Sequence, residues 1–353
     1  MLPLMGGCRR NCPLVLPRFQ KVPTTMKEGD GMASLRSKIA ATGAIQEKLR
    51  AKVGVYAHHP GWALMRAVGR FDAARAVASM RRRKIEPQSG PTVFDDLDVT
   101  EVVATLERDG CYTGLQLPKQ IFDEIWDFAR RSPCYGDRNT AFPFRYDEKA
   151  TVQSRYDKTF AIASYKNTLA ECPAIGQLAV DSKLRQIAES YLRAPPALLA
   201  TTAWWSFAVD VSERERSLAA QMFHFDLDDY RFLKFFFYMT DVDKDSGPHV
   251  CVRGTHTKKA LRHQLRLQRR TDEDIESEYG AEQIAEICGP AGYGFAEDTR
   301  AFHKGSPPVT GDRLVVQIEF ARNDYQVEHD KWEESENAGE PTAEVASARP
   351  STP

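Results

Sequence analysis

No run of about 18 consecutive apolar residues occurs in the chain, so no segment has the length a helix needs to cross a bilayer. An excess of either charge is also missing: 48 basic and 49 acidic side chains leave a formal net charge of −1. That balance provides no global attraction for nucleic acid or for an anionic membrane surface. Cysteine is sparse. The seven (Cys8, Cys12, Cys111, Cys134, Cys172, Cys251, Cys288) are scattered, odd in number and without zinc-type spacing, which points to a reduced, cytoplasmic setting. What remains is ordinary globular material, 42% hydrophobic and 27% charged over 353 residues, enough to bury a large core.

The chain divides by composition. Residues 1–31 read as a disordered arm: the first 27 carry five basic residues, no acid, no serine and four helix-breaking prolines. Residues 32–90 read as a helical extension. Leu35, Ile39, Ile45, Leu49 and Val53 mark one helix over 33–57, and Leu64, Val68, Phe71 and Val77 mark another over 61–81. His58-His59-Pro60-Gly61 separates them, and Arg81-Arg82-Arg83-Lys84 reads as a solvated helix end. A linker rich in proline, glycine and aspartate follows at 85–96. The main domain is expected over 91–330, and 331–353 reads as a disordered acidic tail.

Within the main domain helices come first. Val99, Val102, Val103 and Leu106 form one stripe ended by Gly110. Leu117-Pro118 opens a second helix with Ile121, Phe122, Ile125 and Phe128 inward, and Leu184, Ile187, Ala188 and Tyr191 make a third. Strands dominate later: Leu198 to Phe207, an aromatic run from Phe232 to Thr240, and Leu314 to Phe320. The expected fold is mainly β, a double-stranded β-helix (jelly-roll, cupin-like) core braced by α-helices. Residues 257–288 interrupt the strands with Arg262, Arg266, Arg269 and Arg270 followed by five acids, and read as a helical insertion with a solvated charged face.

Chemistry concentrates late in the chain. His224 and Asp226 form a His-x-Asp and would share one face of a strand; His303 follows 79 residues on, and Arg313 ten after that. Two histidines and a carboxylate are the ligand set of a non-haem Fe(II) site. An arginine matches a carboxylate bidentately, as a chelating cosubstrate would require.

The flanks are QMFHFDLDDYRFLKFFFYMTDVDKDSGPHVCVRGTH and GPAGYGFAEDTRAFHKGSPPVTGDRLVVQIEFA. Over residues 98–325 the chain resembles the phytanoyl-CoA dioxygenase-like family of Fe(II)/2-oxoglutarate oxygenases. The resemblance implies that His224, Asp226 and His303 hold Fe(II), that Arg313 meets the far carboxylate of 2-oxoglutarate, and that O2 is consumed with release of succinate and carbon dioxide, ascorbate helping in vitro. Lys234 is a second candidate for the cosubstrate, Phe236 falls where relatives pack a side chain on it, and Gln221 and Trp205 are candidates for the pocket wall. His256 would close a turn by hydrogen bonding, and His249 would pack near the site. Halogenating relatives have glycine or alanine at the carboxylate position, so Asp226 favours hydroxylation. The expected partner is a small molecule of unspecified class. Two other readings stay open: a non-catalytic jelly-roll binding or regulatory protein, and a cupin-like metal enzyme that does not use 2-oxoglutarate.

Overall fold

Two features of the chain build the scaffold: a block of amphipathic helices, and strands whose alternate residues can be buried on both faces. The computed structural model describes residues 54–80, 83–84, 89–265, 269–327 and 332. Residues 33–53 of the helix expected over 33–57, Arg81 and Arg82, the N-terminal arm and the tail from Glu333 therefore lie outside the described residues, while 54–57 are helical. The expected helix over 61–81 is two helices, Pro60–Val68 and Asp72–Met80, parted at Gly69.

Helix Val99–Asp109 begins where the Asp98 carboxylate accepts from Thr100 N at 2.8 Å and Glu101 N at 3.2 Å, a cap that stabilises a helix by about 1 kcal/mol. It ends at Gly110 with φ 83°, the left-handed geometry that glycine adopts without a Cβ clash. A Cβ there would also meet His256 Nδ1 at 2.6 Å. His256 reaches Glu107 O at 3.2 Å, so it ties this helix to the sheet instead of closing its own turn. Helices Lys119–Arg131, Pro173–Val180 and Ser182–Leu192 complete the block.

The strands are β1 (Cys111–Gln116), β2 (Cys134–Gly136), β3 (Pro143–Phe144), β4 (Ile162–Ser164), β5 (Ala197–Ser206), β6 (Phe232–Tyr238), β7 (His249–Val252), β8 (Ile284–Ile287), β9 (Tyr293–Glu297), β10 (His303–Gly305) and β11 (Arg313–Ala321). The larger sheet runs β1-β9-β6-β11-β5-β4-β2-β3, and the smaller runs β10-β7-β8. An antiparallel bridge between His224 and His303 adds one more short segment beside β10. Core strands thus cross from sheet to sheet along the chain, except at the β7–β8 pair, and the central order β5-β11-β6-β9 against His224-β10-β7-β8 is that of a double-stranded β-helix.

Side-chain alternation explains why β6 is apolar throughout. Leu233, Phe235 and Phe237 pack with the helices in the main core, together with Val316, Ile318 and Phe320 of β11. Phe236 and Tyr238 face the other way and cluster with Phe295, Ile287 and Val315 between the sheets. The insertion differs from expectation at its end. Residues 284–287 are β8, pairing with β7 from His249↔Ile287 to Val252↔Ile284. Its helices are Leu261–Leu265 and Asp272–Tyr279, and Ile275 packs with Val250, Val252 and Phe302 on the outer side of the smaller sheet. Among the described residues no helix is long and apolar enough to cross a membrane.

Candidate active site

One face of the larger sheet and one of the smaller enclose a cavity of about 290 Å³. Its wall follows strand alternation: Arg313, Val315, Gln317 and Glu319 of β11, Ala200, Thr202 and Trp204 of β5, and Lys234, Phe236 and Tyr238 of β6. His224, His249, His303 and Gly305 face them.

His224, Asp226 and His303 come together at one end of this cavity, with one ligand atom from each within 4.8 Å of the others. Backbone pairing sets them there: His224 N donates to His303 O at 3.0 Å, His303 N donates to His224 O at 2.9 Å, and Asp226 N donates to Thr299 O at 2.9 Å. The Gly-Thr-His element braces the same strand, since Phe302 N donates to the Thr255 hydroxyl at 2.8 Å. His224 Nε2 lies 3.7 Å from Asp226 Oδ1, and His303 Nε2 lies 3.6 Å from Oδ2. Each Nδ1 instead meets a backbone carbonyl, Met222 O at 2.9 Å and Ala301 O at 3.0 Å. A carbonyl only accepts, so Nδ1 carries the proton and Nε2 offers its lone pair to the cluster.

The electrostatics agree. Burial pushes the His224 pKa well below its usual value, with the neighbouring His303 adding to the effect, and burial lowers that of His303 too. For Asp226, burial alone would raise the pKa, but Lys234 and the two imidazoles outweigh it and hold the carboxylate ionised, below the usual range. Two neutral imidazoles and one carboxylate are the protonation state a divalent cation requires. The residues present fit such an ion: one lone pair from each imidazole and one carboxylate oxygen converge within 4.8 Å of one another.

Arg313 stands at the other end of β11. Glu319, the cross-strand neighbour of Lys234, lies six positions further along β11 and on the same face. Arg313 is 4% exposed; its Nη2 donates to Ser206 Oγ at 3.1 Å, while Nε and Nη1 have no partner among the described residues. Desolvation draws its pKa below the usual arginine value. A buried guanidinium with open donors is costly unless an anion completes it. Gly305 makes room for it: a Cβ there would lie 2.9 Å from Nη2.

Lys234 has a different environment. Its ammonium donates to Asp226 Oδ2 at 2.9 Å and Asp228 Oδ2 at 3.1 Å, and lies 3.5 Å from Glu319 Oε2. Burial pulls its pKa down, but these carboxylates outweigh burial and hold it well above the usual lysine value. It is therefore spoken for by acids, which corrects the reading of Lys234 as a cosubstrate anchor. Phe236 does line the cavity, stacked on Phe295 with ring centroids 4.8 Å apart. Gln221 is buried but is not part of the wall, because Ala219 and Ala220 line it where the chain turns in with φ 58° at Ala220. Trp205 faces the helices, donating from Nε1 to Tyr165 OH at 2.8 Å; its neighbour Trp204 lines the cavity instead, by the alternation of β5.

Sequence reasoning did not find Asp228, Glu319, Arg138 or the His249–Glu297 hydrogen-bonded pair, and it assigned Arg269 to a solvated face, whereas Arg269 lines the cavity. Glu319 shares the face of Arg313 at an even spacing along β11, a signal the strand pattern does carry. The others depend on contacts between distant segments.

The cluster and its scaffold define a double-stranded β-helix protein with two histidines and one carboxylate at the cavity end. No family model matches the chain, and no curated protein matches it. Solved structures do. HygX from Streptomyces hygroscopicus, with nickel, 2-oxoglutarate and hygromycin B bound, is 15% identical, with a TM-score of 0.43 over 63% of this chain and 87% of that one. SnoK, a non-heme alpha ketoglutarate dependent carbocyclase from nogalamycin biosynthesis, is 14% identical, with a TM-score of 0.43 over 66% and 87%. The epimerase SnoN, in complex with Fe3+, alpha ketoglutarate and nogalamycin RO, is 14% identical, with a TM-score of 0.42 over 65% and 87%. Likenesses at this level carry no role across to the present chain.

Proposed function

We propose that this chain is a non-haem Fe(II)- and 2-oxoglutarate-dependent dioxygenase that hydroxylates a small molecule. The observation that carries the reading is one cavity with a complementary end at each side: His224, Asp226 and His303 with both Nε2 atoms directed at the carboxylate, and Arg313 buried with two unsatisfied donors. When bound there, iron, 2-oxoglutarate and O2 would supply the oxidising chemistry, with the cosubstrate leaving as succinate and carbon dioxide.

The side chains then have distinct tasks. His224, Asp226 and His303 would hold the metal through one face and leave the other to exchangeable ligands. Arg313 would pair with the far carboxylate of 2-oxoglutarate, satisfying donors that are otherwise orphaned in the protein interior. Phe236, Phe295 and Val315 would wall the space between and exclude water. Lys234 keeps Asp226 ionised and fixes one of its oxygens, leaving the other for the metal. Because Asp226 would supply a metal ligand where a halide would otherwise bind, the site favours hydroxylation over halogenation.

The test is succinate release from 2-oxoglutarate by the purified protein with Fe(II), ascorbate and air. Succinate should form slowly without added substrate, and His303→Ala and Arg313→Met should each abolish it. A protein that binds neither metal nor 2-oxoglutarate would be a binding or regulatory jelly roll. One that binds metal tightly and ignores 2-oxoglutarate would be a cupin-like enzyme of another kind.

A further inference from the structure

Two further cations line the cavity. Arg269 lies beside His224 and Asp226, and its Nη1 is buried with no hydrogen-bond partner among the described residues. Its backbone is anchored, because Arg270 N donates to Phe223 O at 2.9 Å and the pair forms an antiparallel bridge. Asp226 acts on it through its charge, but Asp226 and Asp228 are both bonded to Lys234, and Arg269 enters no ion pair among the described residues. Arg138 also lines the cavity, held at φ 58° with Nε donating to Ser164 Oγ at 3.3 Å and no acid paired with it among the described residues. Arg269 further lines an outer groove of about 270 Å³ that Arg66 shares and that continues to His224 and Asp226. A partly desolvated guanidinium at such a junction both attracts an anion and can hold one bidentately.

We propose that the cavity accepts a small organic oxyanion, a carboxylate or a phosphate ester, and that Arg269 holds its charged group. This deepens the oxygenase reading and rests on it for the word substrate. The binding claim itself requires neither iron nor turnover. It names the class of molecule the site would oxidise, and it assigns specificity to a residue of the insertion.

The experiment is equilibrium binding followed by quenching of tryptophan fluorescence, since Trp204 lines the same cavity. Phenylacetate, phenyl phosphate and the uncharged phenylacetamide are titrated into wild-type protein, into Arg313→Met and into Arg269→Gln, each checked for folding by circular dichroism. At least one anion should bind tenfold or more tighter than the amide. That preference should survive Arg313→Met, be lost in Arg269→Gln and return in part in Arg269→Lys. The stronger of the two anions identifies the carboxylate or the phosphate as the group recognised. Equal binding of amide and anions, no binding of either anion, or an anion preference unchanged in Arg269→Gln would overturn the proposal. A preference lost only in Arg313→Met would mean that the probes occupy the cosubstrate end, which also overturns it. Failure of succinate release with this anion preference intact would instead count against the oxygenase reading alone.

Discussion

Replacing Arg313 with methionine should separate stability from cosubstrate binding, and in opposite directions. The guanidinium is buried, makes one hydrogen bond to Ser206, and has no partner for Nε and Nη1 among the described residues. Such a charge costs a few kcal/mol to bury, and apolar replacements of buried ionic groups are commonly neutral or stabilising by about 1–4 kcal/mol. Methionine fills most of the same volume beside Val315 and Tyr238. The variant should therefore melt at the wild-type temperature or above it. Cosubstrate binding should collapse, because truncating one partner of a buried charge pair costs about 2–5 kcal/mol, or roughly 30-fold to several thousand-fold in Kd. The assay is thermal melting under anaerobic conditions with Mn(II), with and without 2-oxoglutarate. At about 100 times Kd, a ligand stabilises the wild type by about 2.7 kcal/mol, which raises Tm by roughly 5–10 °C. In Arg313→Met that shift should vanish. A variant that keeps the full shift, or one that loses several kcal/mol of stability without ligand, would show that Arg313 is a structural residue, and the argument from its orphaned donors would fail.

Four further outcomes follow from the same geometry. His224 and His303 have depressed pKa values in the folded state, so the unfolded chain binds more protons as pH drops below about 6.5; metal-free stability should be complete above that pH and decline below it, and His303→Ala should flatten the slope in a melting series. Lys234→Met leaves Asp226, Asp228 and Glu319 facing one another, so denaturant titration should show a loss of about 3–5 kcal/mol, partly recovered with Mn(II) as the replacement cation. Gly305→Val brings side-chain carbon against Arg313 Nη2, and calorimetry should show 2-oxoglutarate binding weakened about tenfold with metal affinity little changed, a difference of about 1.4 kcal/mol. Once a substrate is in hand, mass spectrometry of products formed in excess chloride should show oxygen incorporation alone, and a chlorinated product would mean that Asp226 is displaced.

Much was legible in local pattern. The stop at Gly110 ended its helix because the missing Cβ acts at that one residue. The spacing of His224 and Asp226 placed both on one side of the chain, and the aromatic run around Phe235 announced a strand buried on both faces. The late strand was legible for the same reason, as was the arginine at its start.

The assignments that failed depended on what lies across from a residue. Period-two alternation says that Trp204 and Trp205 face opposite ways, but only the register of β5 against β11, with Arg313 opposite Ser206, says which one sees the cavity. Lys234 looked like an anchor for an anion until the fold put Asp226, Asp228 and Glu319 around its ammonium. Arg269 belonged to a charged stretch of unremarkable composition until a bridge from Arg270 to Phe223 turned it toward the histidines. Sequence by itself determined residue type, strand period and the order of ligand pair, distal histidine and arginine, because these are local or fixed by chain order. Tertiary structure alone decided which face was inside and which charges met, because cross-strand register and ion pairing join segments tens of residues apart.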